Sequence, residues 1–362
     1  MYKPEKELNQ IAWDVPESVY REDSALSYST LAKYLREGFN KLDSLFEHIS
    51  TPSLTEGSMV DCLITGSIQE FNEQFYVADF PSIGDKEAQI AKALFYQWSN
   101  DYGSIDVIPA TYILETVNDF EFQKNWKDET RVRVVTERCA NYYRLMYQAK
   151  GKTIVSNDTY QKVLAMVKAL RESPATCHYF AKDDPMSPIR RYYQLKFKAR
   201  FQGVDYRCMM DEVIVDYEKK IIIPCDLKTS GHREWDFEGS FITWSYSVQA
   251  RLYAALLQAN LLKDPYFKDF TIKNYRFIVV NKETLTPLVW EFPYTFSRET
   301  LVSDKGEVFP HPFEIGKELR GYLDCKPPVP NGINMESLNI IKCLKPINNG
   351  KEEESSSASS NV

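Results

Sequence analysis

The stretch CMMDEVIVDYEKKIIIPCDLKTS, residues 208 to 230, constrains the fold more than any other part of the chain. Two runs rich in Val and Ile flank the polar DYEKK, a pattern that predicts an antiparallel hairpin. The second run, IIIPC, reads as a buried strand, yet it ends in Asp226, Leu227, Lys228 and Thr229. With the loop over Tyr217 to Lys220, pairing sets Asp211 opposite Asp226. Directly opposed Cβ atoms lie about 4.5–5.5 Å apart, so the two carboxylates would meet on one face. Lys228 projects to that same face, and Glu212 to the other, opposite Cys225. A slip of one residue would exchange Asp211 and Glu212.

Two carboxylates this close repel unless a cation lies between them or one is protonated. Oxygen ligands, with the Leu227 backbone carbonyl as a third, suit Mg²⁺ or Mn²⁺. A lysine beside such an ion can orient a water and stabilise charge on an attacked phosphate. The plain structural alternative is a surface hairpin with an ion pair between Asp226 and Lys228.

The wider pattern favours the chemical reading. Asp211, then DLKTS from Asp226, then YSVQARLY from Tyr246 to Tyr253, resemble the PD-(D/E)XK nuclease superfamily. Within it, they are similar to the exonuclease VIII type and its RecB-like relatives in phage recombination systems. The resemblance spans roughly residues 25 to 260 and weakens between 70 and 150. It implies that Asp211 and Asp226 are metal ligands and Lys228 the catalytic lysine. Gln249 would shape the site, and Tyr246 and Tyr253 would contact DNA. Thr229 and Ser230 are further candidates for a phosphate.

Relatives carry Gly-x-x-x-His on an upstream helix; here Gly57 is followed by Asp61, a possible additional ligand of a hard cation. They also often place a Glu on the strand before the first Asp, where this chain has Gln194. The implied fold is an α/β restriction-endonuclease-like core, a mixed central sheet flanked by helices, with a largely helical N-terminal half. The implied substrate is DNA, degraded from duplex ends to leave a single strand for an annealing protein. Homo-oligomeric rings are also known among the relatives. An endonuclease of restriction, defence or DNA processing, and a catalytically silent DNA-binding protein of the same fold, are the competing expectations.

Composition agrees with a globular enzyme, with 43% hydrophobic residues. The net charge of −7 argues against indiscriminate nucleic-acid binding. Local charge still allows a groove: in IRRYYQLKFKAR, Lys196, Lys198 and Arg200 would share one strand face and could track phosphates. No apolar stretch is long enough for a membrane helix, and the N-terminus lacks a signal pattern, so a cytoplasmic protein is expected. Seven cysteines without regular spacing fit a reducing compartment. Cys208, Cys225, Cys325 and Cys343 are too dispersed for a zinc or iron–sulfur centre.

Helical periodicity marks 27–49, 55–66, 85–98, 129–151 and 157–174, with Ser27 or Ser29 and Asn157 or Asp158 as N-caps. Strands follow at 191–201, 204–216 and 220–227, then a helix from Thr243, strands YRFIVVNK and PLVWEFP, and a last helix, PFEIGKELRGYLD. Residues 1–24 read as an N-terminal extension and 25–345 as one elaborated nuclease domain. Its parts are helical (25–185), the catalytic sheet and helix (186–295) and a C-terminal portion (296–345). The tail, 346–362, is acidic and Ser-rich, a disordered composition. Trp235 and Phe237 would either stack on bases or pack a loop over the sheet. His178 and His232 are isolated and carry no site.

Overall fold

Three long strands organise the molecule because each supplies alternating apolar residues to a face that helices cover. The computed structural model describes residues 1–47, 51–293, 301–302, 306 and 308–325. The strands are β3 (Ile189–Phe201), β4 (Val204–Asp216) and β5 (Ile221–Ser230). Before them come α1 (Glu17–Glu22), α2 (Tyr28–Glu37), α3 (Pro52–Thr65), α4 (Ile68–Gln74), β1 (Phe75–Val77), α5 (Asp85–Trp98), α6 (Ala110–Asp119), α7 (Asp128–Ala149), β2 (Thr153–Val155) and α8 (Asn157–Glu172). After them come α9 (Phe237–Thr243), α10 (Tyr246–Leu261), β6 (Thr271–Ile272), β7 (Tyr275–Asn281), β8 (Pro287–Phe292), β9 (Leu301–Val302), β10 (Val308–Phe309) and α11 (Pro312–Cys325).

The main sheet runs β3-β4-β5-β7-β8, with β6 beside the start of β5. All its neighbours are antiparallel except β5 with β6 and with β7, which are parallel. A parallel pair needs a crossover, and α9 and α10 provide it, so α10 is laid across one face of the sheet. That face carries the larger core, which includes Phe197, Tyr206, Val213, Ile222, Leu252, Leu256 and Phe277. The other face is covered by α3 and α8, with Met59, Val60, Val163 and Met166 against Ile214, Cys225, Ile278 and Val280. The fold is thus mixed α/β, with helices on both faces of a mixed sheet.

The N-terminal residues belong to this core. Leu8 is fully buried and its amide donates to the Tyr217 hydroxyl at 2.9 Å. The Trp13 amide donates to the Lys196 carbonyl at 2.7 Å, covering part of the β3 edge. Helices α5, α6 and α7 instead pack on one another around Ile90, Leu94, Ile113, Val135 and Tyr143.

Several element boundaries differ from the sequence expectation. The helix expected over 27–49 ends at Glu37, because Gly38 takes φ +70° and a short 3-10 segment, Phe39–Ser44, follows. Ser27 is its N-cap, and Ser156, one residue before the expected candidates, caps α8 by accepting from the Thr159 amide at 3.1 Å. The helix expected from Thr243 is divided, with Ser245 left-handed at φ +56° between α9 and α10. Helices α4 and α6 and the β1–β2 pair were not anticipated. Residues 326–362, including the expected tail, lie outside the described residues.

Candidate active site

The hairpin loop falls at residues 217–220, and the pairing is Glu212 with Cys225 and Asp216 with Ile221, the register expected from the sequence. Asp211 and Asp226 therefore stand at the same level on β4 and β5. The Leu227 amide donates to Asp211 Oδ2 at 2.9 Å, which ties the first acid to the strand that carries the second.

A local irregularity shapes this end of the sheet. On β4 the residues facing the larger core are Val204, Tyr206, Cys208 and Met210, then Val213, Val215 and Tyr217, so the alternation changes phase at Asp211–Glu212. On β3 the same change falls at Gln194, between Tyr192 and Leu195. Gln194 has φ +54°, a left-handed conformation costly for a residue with a side chain. Because both strands kink at the same level, pairing resumes in register: Tyr193 with Glu212 and Leu195 with Met210. The interruption falls at the level of Gln194 and Asp211.

Asp226 is 2% exposed. Gln249 on α10 donates to its Oδ1 at 2.5 Å, and Lys228 forms an ion pair with the same carboxylate. The Lys228 ammonium also lies 4.8 Å from the centroid of the Tyr246 ring. Burial alone would lower the Lys228 pKa, but Asp226, Tyr246 and Asp211 raise it, so the side chain is an ammonium ion.

Asp61 enters from α3 across the opening. Gln194 Nε2 donates to its Oδ2 at 2.7 Å, while its Oδ1 is buried without a hydrogen-bond partner. Burial, then the charge of Asp226, pushes the Asp61 carboxyl up to about 7. Asp211 is raised for the same reasons, burial first, then Asp226 and Asp61. Three carboxyls thus feel one another in a poorly solvated space. Helix α3 lies against β5 at Gly57, where an added Cβ would make an ordinary contact with Thr229 Oγ1 at 3.5 Å. Lys282, just beyond β7, pairs with Glu56 at 2.6 Å and holds the same helix.

Among the described residues, no three His, Cys, Asp or Glu side chains converge as a ready metal cage. The donor chemistry nevertheless fits a hard divalent ion. The acids are oxygen donors, Asp61 Oδ1 lacks a partner, and both Asp61 and Asp211 are raised by burial first and then by neighbouring carboxylate charge, which a cation would relieve.

Other sequence candidates are placed elsewhere. Tyr253 is 7% exposed and packs edge-on to Tyr275, with ring centroids 6.4 Å apart, so it is placed in the core. Ser230 is buried, and its Oγ accepts from the His232 amide at 3.1 Å, which closes the turn after β5. Thr229 faces α3. Lys198 pairs with Asp23 at 2.6 Å and lies over Trp13, and Arg200 reaches Asp205 at 3.9 Å. The basic stripe is therefore largely answered by acids of the same chain. Phe237 is buried in an aromatic cluster, whereas Trp235 is exposed beneath Arg233.

One residue beside the site gave no sequence signal. Tyr28, at the start of α2, donates its hydroxyl to the Trp244 carbonyl at 2.6 Å, with its ring 6.2 Å from that of Tyr246. Glu212, on the opposite face from Asp226, is 2% exposed, and neither carboxyl oxygen has a hydrogen-bond partner.

No protein-family model matches the chain, and no curated protein matches it. Among solved structures it is similar to a protein of Eubacterium rectale described provisionally as an exonuclease. The match has 11% identity and a TM-score of 0.28, covering 68% of this chain and 85% of the other. A likeness at that level establishes no common ancestry or activity, and the chemistry rests on the residues of this chain. No described helix is long and apolar enough to cross a membrane.

Proposed function

We propose that this chain is a metal-dependent deoxyribonuclease of the PD-(D/E)XK type, acting as an exonuclease on duplex DNA ends. The observation that carries the reading is the buried Asp226 carboxylate held by Lys228 and Gln249, with Asp211 tied to the Leu227 amide and with Asp61 and Asp211 both feeling the Asp226 charge. An isolated ion pair on a surface hairpin needs none of the other three residues and none of their burial.

Asp211 and Asp226, with the Leu227 carbonyl and Asp61, are the groups that would hold Mg²⁺ or Mn²⁺. Such an ion, when bound, lowers the pKa of a water and shields phosphate charge. The remaining chemistry belongs to the side chains. Lys228, held as an ammonium by its acidic neighbours, cannot take a proton; it supplies positive charge to the phosphate oxygens as charge builds on them. Gln249 fixes the Asp226 carboxylate so that its second oxygen faces Lys228. Gln194 orients Asp61 by donating to its Oδ2. In the reaction a water oxygen bonds to phosphorus, the bond from phosphorus to the leaving oxygen breaks, and that oxygen takes up a proton.

The test is hydrolysis of linear duplex DNA in Mg²⁺ or Mn²⁺, with Lys228→Ala as the control. The expected loss in the variant is about a hundredfold or more, the scale of removing one charge-stabilising donor. Intact DNA with the wild-type protein would overturn the reading. Nicking of covalently closed circles would turn it to an endonuclease.

A further inference from the structure

Beside the candidate site, a cavity of about 250 Å³ opens between α9 and the strands β7 and β8. Six aromatic side chains line it: Phe237, Phe241, Phe277, Trp290, Phe292 and Phe309. Its polar lining residues are acidic, Glu238 and Glu291, and Glu291 pairs with Arg276 at 2.9 Å. The cavity shares walls with the catalytic groups. Phe277 is the partner of Asp226 across the parallel β5–β7 ladder. Tyr246 stacks on Phe237 and Phe277, with centroids 5.8 and 5.5 Å away, and carries Lys228 on its ring.

We infer that this cavity receives one unstacked nucleobase of the strand being cut. The inference rests on the nuclease reading for its ligand but not for its test. A phosphate drawn to Lys228 brings its own nucleoside beside Tyr246, whose ring stacks on the cavity-lining Phe237 and Phe277. The cavity selects by chemistry. Its aromatic faces accept a flat uncharged ring by stacking. The space is large enough for one nucleobase. A base enters only after leaving its stack, which costs least at a frayed or single-stranded end. The cavity therefore favours a terminal nucleotide over one within a duplex.

Equilibrium binding to the full chain tests this without any turnover. Deoxyadenosine 5′-monophosphate and 2-deoxyribose 5-phosphate, titrated by calorimetry, differ only by the base. The nucleotide is expected to bind at least fivefold more tightly, within the five- to hundredfold range that base stacking on aromatics supplies. Phe241→Leu, which keeps an apolar side chain but removes the ring, should erase most of that difference, and Phe309→Leu should reduce it. An unchanged circular-dichroism spectrum and urea midpoint would show that each variant is folded. Lys228→Ala should weaken both ligands alike and preserve their ratio.

Equal binding of the two ligands, or a ratio untouched by both ring-removing variants, overturns the inference. Tight binding of benzene with no preference for the nucleotide also overturns it, in favour of an apolar small molecule. DNA hydrolysis without a base-dependent ratio removes the pocket and leaves the nuclease. A base-dependent ratio lost in Phe241→Leu, with no hydrolysis, does the reverse.

Discussion

Glu212 and Asp211 are adjacent acids with opposite circumstances. Asp211 has an amide donor and charged neighbours, whereas Glu212 is buried on the other face with both oxygens unpaired. Burial pushes the Glu212 carboxyl up to about 8, from an ordinary 4.5. The folded protein therefore favours the protonated form, and stability is whole below about pH 4.5 and is lost as pH rises through 8. Glu212→Gln cannot ionise and escapes that loss. Urea midpoints of the two proteins should nearly coincide at pH 4–5 and separate by roughly 2–5 kcal/mol in favour of the variant by pH 9. Parallel profiles would mean that the carboxylate ionises with a partner. Asp61 and Asp211 are raised in both proteins, so the difference isolates Glu212. The levels of Asp211, Asp226 and Lys228 were legible in the sequence because a short polar loop fixes the register of two apolar strands. The left-handed Gln194 was not, since nothing local requires a glutamine to adopt φ +54°. Its conformation follows from two strands kinking together, which single-strand alternation cannot express.

Helix ends were legible where the chain has one strong breaker and illegible where the choice is between equivalent side chains. Asp85–Trp98 was read to the residue. Asn157, Asp158 and Ser156 are all competent caps, and the one accepting from the Thr159 amide is Ser156. The division at Ser245 is illegible because no Gly or Pro marks it; Tyr246, just after it, stacks on Phe277. Helix α7 offers a test of backbone strain away from the site. It ends at exposed Lys150, left-handed at φ +50°, ψ +43°, just before Gly151. Lys150→Gly should raise stability by about 0.5–1 kcal/mol, read from the urea midpoint, because glycine occupies this region without a Cβ clash. Nuclease activity should be unaffected. A lower midpoint would show that the lysine side chain stabilises the helix end by more than the strain it carries.

At the scale of the whole molecule, the main sheet and the α5–α7 helices have different cores. The sheet is packed on both faces, one core reaching from Leu8 to Leu319 and the other joining α3 and α8 to β4, β5 and β7. Helices α5 to α7 enclose a third core. The sequence conveyed the mixed α/β class, since helical and strand periodicities fall in separate halves. It did not convey this partition, because the apolar faces of α3 and α5 look alike until their partners are known. Three cores imply unequal local stability. Leu94 is fully buried in the third, and Leu94→Ala should cost about 2–5 kcal/mol there, as large-to-small changes in packed cores do. Native-state hydrogen exchange should then accelerate for amides of α5, α6 and α7, while those of β4 and β5 around Val213 and Ile222 keep their protection. Hydrolysis by the variant should fall little at a temperature where the sheet remains folded. If the sheet amides accelerate to the same degree, the helices and the sheet unfold as one cooperative body. The site's geometry would then depend on a core that none of its residues touches.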